Sequence, residues 1–160
     1  MHTGETIARI TPDELAFRML DGDASFTIVD VRPAAAFAAT GLPGAVNIPL
    51  TDMFGKTWAD VLSRGRTRKV FVADAEVNAE QAARLALLLG YRNVGVLVGG
   101  MSGFWQTMLQ ARAPASDQDD PEVAQFRLEA GARIAALIKA RSARKPVHRT
   151  VKRITGGCGV

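Results

Sequence analysis

The chain has 160 residues but only one cysteine, Cys158, and two histidines, His2 and His148, near opposite ends. A single thiol excludes an intrachain disulfide framework and a thiolate metal cluster within one chain. With the histidines so far apart, no metal or other cofactor is expected. Long apolar runs are also missing. No stretch approaches the ~18–20 uncharged apolar residues of a membrane span, and Met1-His2-Thr3-Gly4-Glu5 lacks the basic-then-apolar pattern of a secretory signal. The expectation is a cytoplasmic protein that is not integral to a membrane. Acid is absent from residues 131–160, which carry Arg133, Lys139, Arg141, Arg144, Lys145, Arg149, Lys152 and Arg153. Taking those eight from 20 basic residues leaves 12 against 16 acids, so the first 130 residues carry about −4 while the whole chain carries +4. The basicity therefore belongs to the end of the chain.

What is present is an alternation of helix and strand signals. Thr11-Pro12-Asp13-Glu14 opens a helix. Thr11 caps it, Pro12 takes the first helical position, Glu14 stands at capping-box spacing, and Ile10 with Leu15 forms a hydrophobic staple. Gly22 marks its stop. Phe26–Val31 is a short β-branched run of the kind buried in a parallel sheet. A short helix follows over Pro33–Ala39, a turn at Gly41–Gly44, a strand at Ala45–Ile48 and another helix over Thr57–Leu62. Lys69–Ala73 is a central strand. A helix follows over Asn78–Leu89, with Asn78 and Gln81 at capping-box spacing and Gly90 ending it. Val94–Val98 is the last buried strand, and Gly99-Gly100 leads into a helix holding Phe104, Trp105, Met108 and Leu109. The fold class is α/β, a mostly parallel sheet covered by helices on both faces, plus a C-terminal helical extension. Ligands of such sheets sit beyond the carboxyl ends of the strands, so the turns after Val31, Val72 and Val98 are the places for chemistry.

Composition divides the chain into a domain over 1–111, a linker over 112–120, an amphipathic basic helix over 121–145 and a flexible basic tail over 146–160. In the late helix Val123, Phe126, Ala130, Ile134, Leu137 and Ile138 recur at helical spacing. That face, within 121–140, is a candidate for a protein partner or for homo-oligomerisation. The basic tail is read chiefly as solvated. It has no interleaved aromatics, so binding of nucleic acid or anionic lipid by counterion release is the lesser reading.

Three stretches together resemble the rhodanese superfamily. The first is Ile28-Val29-Asp30-Val31-Arg32 with Phe37 and then Leu42-Pro43-Gly44-Ala45-Val46-Asn47-Ile48-Pro49. The second is Lys69-Val70-Phe71-Val72 with Gln81-Ala82-Ala83. The third is Gly90-Tyr91-Arg92-Asn93-Val94 through Gly99-Gly100-Met101 and Trp105. The resemblance covers roughly residues 7–111. It implies a sulfurtransferase whose cysteine takes sulfane sulfur from a donor, stores it as a persulfide and passes it to an acceptor. Backbone amides at a helix N-terminus would hold the anionic sulfur.

The pattern breaks where it matters. Counting back from Gln81, the cysteine position falls on Ala73, and the loop continues as Asp74-Ala75-Glu76-Val77-Asn78-Ala79. The arginine usual late in this loop aligns with Asn78, and the histidine often found before the Leu-Pro-Gly turn aligns with Gly41. An alanine methyl is no nucleophile, and acids at 74 and 76 repel an anionic substrate. A phosphatase reading fails for the same missing nucleophile. Residues 73–79 with Asp30 and Arg32 remain a candidate binding pocket. Asp30 and Arg32 are read mainly as structural, and Asp74 and Glu76 either as helix-start acids or as a site for a cationic partner. Cys158, in Thr155-Gly156-Gly157-Cys158-Gly159-Val160, is either a swinging carrier of sulfane sulfur or an incidental thiol. Two functions follow. One is a rhodanese-like protein that is inactive at the standard site, a pseudoenzyme there, and carries a persulfide on Cys158. The other is a non-catalytic module that binds a protein or small ligand.

Overall fold

The computed structural model describes residues 4–111 and 120–143. Most of the expected linker and everything from residue 144 onward, Cys158 included, lie outside them, so the tail readings find no structural counterpart. Five strands form one sheet in the order β1-β5-β4-β2-β3, and every pairing is parallel. The strands are β1 (Ala8–Ile10), β2 (Phe26–Asp30), β3 (Val46–Asn47), β4 (Arg68–Val72) and β5 (Val94–Leu97). Strand β4 is central, pairing Ile28 with Val70 on one side and Val70 with Gly95 on the other. Helices α1 (Pro12–Asp21), α5 (Gly100–Phe104) and α6 (Pro121–Ala143) cover one face, where Leu15, Val70, Val72, Phe104 and Ile134 pack together. Helices α3 (Ala59–Leu62) and α4 (Glu76–Leu88) cover the other, over Val29, Phe71 and Val96. Among the described residues no helix is long and apolar enough to cross a membrane.

Local chemistry accounts for most of these elements. The Thr11 side chain accepts from the Glu14 amide, Pro12 occupies the first turn, and Gly22 ends α1 in the left-handed conformation at φ 69°. The Glu14 carboxylate, however, accepts from Arg18 Nε at 3.0 Å one turn on, so the interaction seen at Thr11 is a cap rather than the expected reciprocal box.

The structure corrects three expectations. Strand β1, between Glu5 and the first helix, was not anticipated. It is three residues long and carries Arg9 at its centre. Helix α4 starts at Glu76 with Ala75 at the cap position and no side-chain cap, not at an Asn78–Gln81 box, so residues 76–79 are first-turn helix rather than loop. Finally, α6 turns its apolar face onto its own body. Ala130, Gly131 and Ile134 are buried, with Phe126 and Ile138 packed beside them. Much of the face expected to serve an oligomer or partner is therefore covered within the chain, while Val123 and Leu137 of that face stay exposed. The approach is close enough that a Cβ on Gly131 would lie 1.9 Å from the Met108 carbonyl oxygen. Met108 itself lies in a π-helical turn, Trp105–Leu109, that follows α5. At its two ends α6 is held by Arg127, whose Nε and Nη2 donate to Asp13 at 2.9 and 2.8 Å, and by Arg141, whose Nη2 donates to the Phe37 carbonyl at 2.9 Å.

Candidate functional site

The carboxyl ends of β2, β4 and β5 converge, as a parallel sheet requires, and the three turns beyond them are bound to one another. From β2 come Asp30 and Arg32. The Asp30 side chain is fully buried and Arg32 is 5% exposed. Charges so far from water persist only when paired. Asp30 accepts from the Arg32 amide at 3.0 Å, from Nε at 3.0 and 3.2 Å and from Nη2 at 2.7 Å. Burial alone would pull the Arg32 guanidinium down, but the hydrogen bonds and charge of Asp30 leave it above its ordinary value. Arg32 Nη1 also reaches Thr40 Oγ1 at 3.1 Å and Asp74 Oδ1 at 3.4 Å. Asn47 donates to the carbonyls of both Asp30 and Arg32. This is a framework that fixes the β2 turn, and among the described residues no buried side-chain nitrogen or oxygen lacks a partner.

The β4 turn, Ala73-Asp74-Ala75, leads directly into α4. Ala73 is 3% exposed, its methyl packed in the same cluster as Val31 and Phe71. Asp74 is exposed apart from its contact with Arg32. Glu76 is turned back across the corner. It accepts from the Gly99 amide at 2.7 Å and forms an ion pair with Arg9 of β1. The Gly99 N–H, aided by Arg9, holds this carboxyl below its ordinary value. Val77 and Asn78 project outward and Ala79 is buried against the sheet.

The turn after β5 closes the corner. The Met101 amide donates to the Ala73 carbonyl at 2.8 Å, and the Ser102 amide and hydroxyl donate to the Asp74 carbonyl at 3.4 and 3.3 Å. Gly100 has φ 63°, and a Cβ there would lie 2.6 Å from the Asp74 carbonyl oxygen and 2.9 Å from the Glu76 amide nitrogen. Only glycine allows this approach. The Gly99-Gly100 pair therefore admits the chain's own backbone to the corner.

Residues 73–79, Asp30 and Arg32 are thus neighbours, but they do not form a set of reactive groups. No thiol, hydroxyl or imidazole stands among them, and among the described residues no group of three or more histidine, cysteine, aspartate or glutamate side chains is placed to hold a metal. Arg9, Thr40 and Asn47 are site residues that the sequence did not single out. Arg9 belongs to the strand that was not anticipated, and the other two are recognisable only by long-range hydrogen bonds.

Residues 11–107 match the family described as Rhodanese-like domain. No curated protein matches the chain. Among solved structures it is similar to the rhodanese-like domain of an Anabaena sp. protein, 22% identical with a TM-score of 0.57, covering 72% of this chain and 90% of that one. It is also similar to a single-domain sulfurtransferase from Saccharomyces cerevisiae, 22% identical with a TM-score of 0.56, covering 65% and 93%. A third structure is thiosulfate sulfurtransferase from Pseudomonas aeruginosa, 32% identical with a TM-score of 0.53. There the match covers 62% of this chain but only 18% of the enzyme.

Proposed function

Because the chain belongs to the rhodanese-like family, we propose that it is a sulfurtransferase-related protein whose strand-to-helix corner is catalytically silent, with sulfane sulfur carried on Cys158. The observation that supports silence at the corner is the buried Ala73 methyl, beside a Glu76 carboxylate latched by Gly99 and Arg9. A persulfide needs a thiolate, and the chain has one thiol. The Cys158 thiolate attacks the outer sulfur of a donor such as thiosulfate, the S–S bond of the donor breaks, and sulfite leaves with the bonding pair. A thiophilic acceptor then removes the outer persulfide sulfur and regenerates the thiolate.

Reach permits the thiol to meet the corner. Arg141 anchors the end of α6 on Phe37 of the short helix α2 (Ala34–Thr40), and Thr40 of that helix holds Arg32. The 15 residues from Ala143 to Cys158 span at most about 54 Å, against a radius of gyration of about 14 Å for a domain of this size. A second reading is a non-catalytic binding module. It is favoured by the way the corner is filled by the protein's own carboxylate and backbone.

The test is thiosulfate-to-cyanide sulfur transfer, with persulfide labelling, on the full-length protein and on Cys158→Ser. The full chain is needed because α6 supplies Ala130 and Ile134 to the core. The carrier reading expects labelling and thiocyanate from the wild type and neither from the variant. Absence of both from the wild type leaves the binding module. Equal turnover by the variant would refute sulfur carriage on Cys158.

A further inference from the structure

The opposite, amino-terminal edge of the sheet has a different character. Between α3 and β4 the chain runs Arg64-Gly65-Arg66-Thr67-Arg68-Lys69, four cations in six residues without an acid. This segment borders a cavity of about 230 Å3 whose floor includes Ile10, Val70 and Phe26 and whose polar lining is Arg18, Arg66, Arg68, Asn93 and Ser25.

The charges around the cavity are not equivalent. Arg18 is neutralised by Glu14 at 3.0 Å and Asp23 at 2.8 Å. Among the described residues Arg68 gives only Nε to Asn93 Oδ1, at 3.1 Å. Arg66 has no hydrogen bond or ion pair among the described residues. Two guanidinium groups therefore face one cavity with terminal nitrogens to spare. Their loop is held in place rather than loose. Asn93, at φ 57°, donates through Nδ2 to the Gly65 carbonyl, and its own carbonyl accepts from the Lys69 amide. The fully buried Lys69 ammonium donates to the Arg64 carbonyl at 2.8 Å. A neighbouring cavity lined by Gly22, Pro43 and Gly44 has Asp23 and the Arg18 that it neutralises in place of Arg66 and Arg68, and so does not suit an anion.

We propose that the Arg66–Arg68 cavity binds a small organic phosphate or sulfate ester, its oxyanion on the two guanidinium groups and its apolar body on Phe26, Val70 and Ile10. Guanidinium forks match tetrahedral oxyanions. The cavity lies below the roughly 300–1,000 Å3 typical of drug-sized ligands, so the ester is small. The site is independent of Cys158 and of the silent corner.

Calorimetric titration of the full chain with phenyl phosphate, inorganic phosphate and chloride at matched ionic strength tests this. Phenyl phosphate binds most tightly of the three, and Arg66→Ala weakens it roughly tenfold, the loss expected for one charge-assisted hydrogen-bonding group. Arg66 has no partner among the described residues, so its removal leaves the melting temperature unchanged. Arg92→Ala, which removes a cation near the same edge that is paired with Glu5, leaves affinity unchanged. Absence of phenyl phosphate binding above the chloride control overturns the site. Equal weakening by Arg66→Ala and Arg92→Ala overturns it in favour of diffuse attraction. Equal affinity for the two phosphates overturns the ester assignment.

Discussion

Placing a thiol at the corner tests whether the proposed silence is deeper than one missing sulfur atom. Ala73→Cys, made in a Cys158→Ser background so that the protein holds one thiol, places sulfur where the side chain is 3% exposed. Burial disfavours the thiolate. Two carboxylates flank the position. Asp74 is well solvated and partly offset by Arg32, and Glu76 is held ionised by Gly99 and Arg9. A like charge ~4 Å away costs about 1 kcal/mol under water-like screening, which is about fivefold in thiolate population for one carboxylate and about thirtyfold for both. The expected outcome is a thiol that reacts with iodoacetamide at neutral pH about fivefold to thirtyfold more slowly than free cysteine, with no thiosulfate turnover. Adding Asp74→Asn and Glu76→Gln recovers most of that factor. If Ala73→Cys alone alkylates as fast as free cysteine and turns over thiosulfate, the acids do not matter and the reasoning fails.

Other perturbations probe the frame. Arg32→Met leaves the buried Asp30 carboxylate without its guanidinium and costs about 3–5 kcal/mol; denaturant unfolding reads this, and a loss below 1 kcal/mol counts against the frame. Gly131→Ala sets a Cβ against the Met108 carbonyl; despite alanine's better helix propensity of about 1 kcal/mol, overpacking of about 1–3 kcal/mol makes the variant melt lower, with α6 amides exchanging faster. Burial holds the Lys69 ammonium below its ordinary 10.5, opposed by Glu5, so in that interval the unfolded chain binds more protons and stability rises with pH. Lys69→Met should therefore be more stable than wild type near pH 7, by about 1 kcal/mol, with the gap closing as pH approaches 10.5; a gap that does not change with pH refutes the assignment.

Elements governed by neighbouring residues were legible in the sequence. Thr11, Pro12 and Gly22 act within a few residues of one another, and the β-branched runs of β2, β4 and β5 are apolar on both faces because helices cover both. What could not be read was settled by distant partners. Helix α4 begins two residues before Asn78 because Glu76 finds the Gly99 amide 23 residues away, and Asp74 meets Arg32 across 42 residues. Strand β1 is only three residues long and takes its register from β5, so no periodicity marks it. The π-turn at Trp105–Leu109 receives Gly131 of α6, a contact invisible to any local pattern. Residues 73–75 form the strand-to-helix turn where the resemblance put the corner, but only the structure showed that this turn is filled by the protein's own groups.

The distribution of unpaired charge gives that corner a further meaning. At the carboxyl edge Arg32 is consumed by Asp30, and Arg9 by Glu76, so what faces solvent there is Asp74. At the amino edge Arg92 is consumed by Glu5, and Arg18 by Asp23 and Glu14, which leaves Arg64, Arg66 and Arg68 without carboxylate partners among the described residues. A free anion is steered by the sum of such charges, and the guanidinium groups of the amino edge attract it locally. A sulfur atom tethered to the chain does not depend on that steering, because covalent attachment supplies a local concentration that long-range repulsion at about 1 kcal/mol cannot cancel. On physical grounds, the proposed silence of the corner, with acids at 74 and 76, favours a carried sulfur over a captured one.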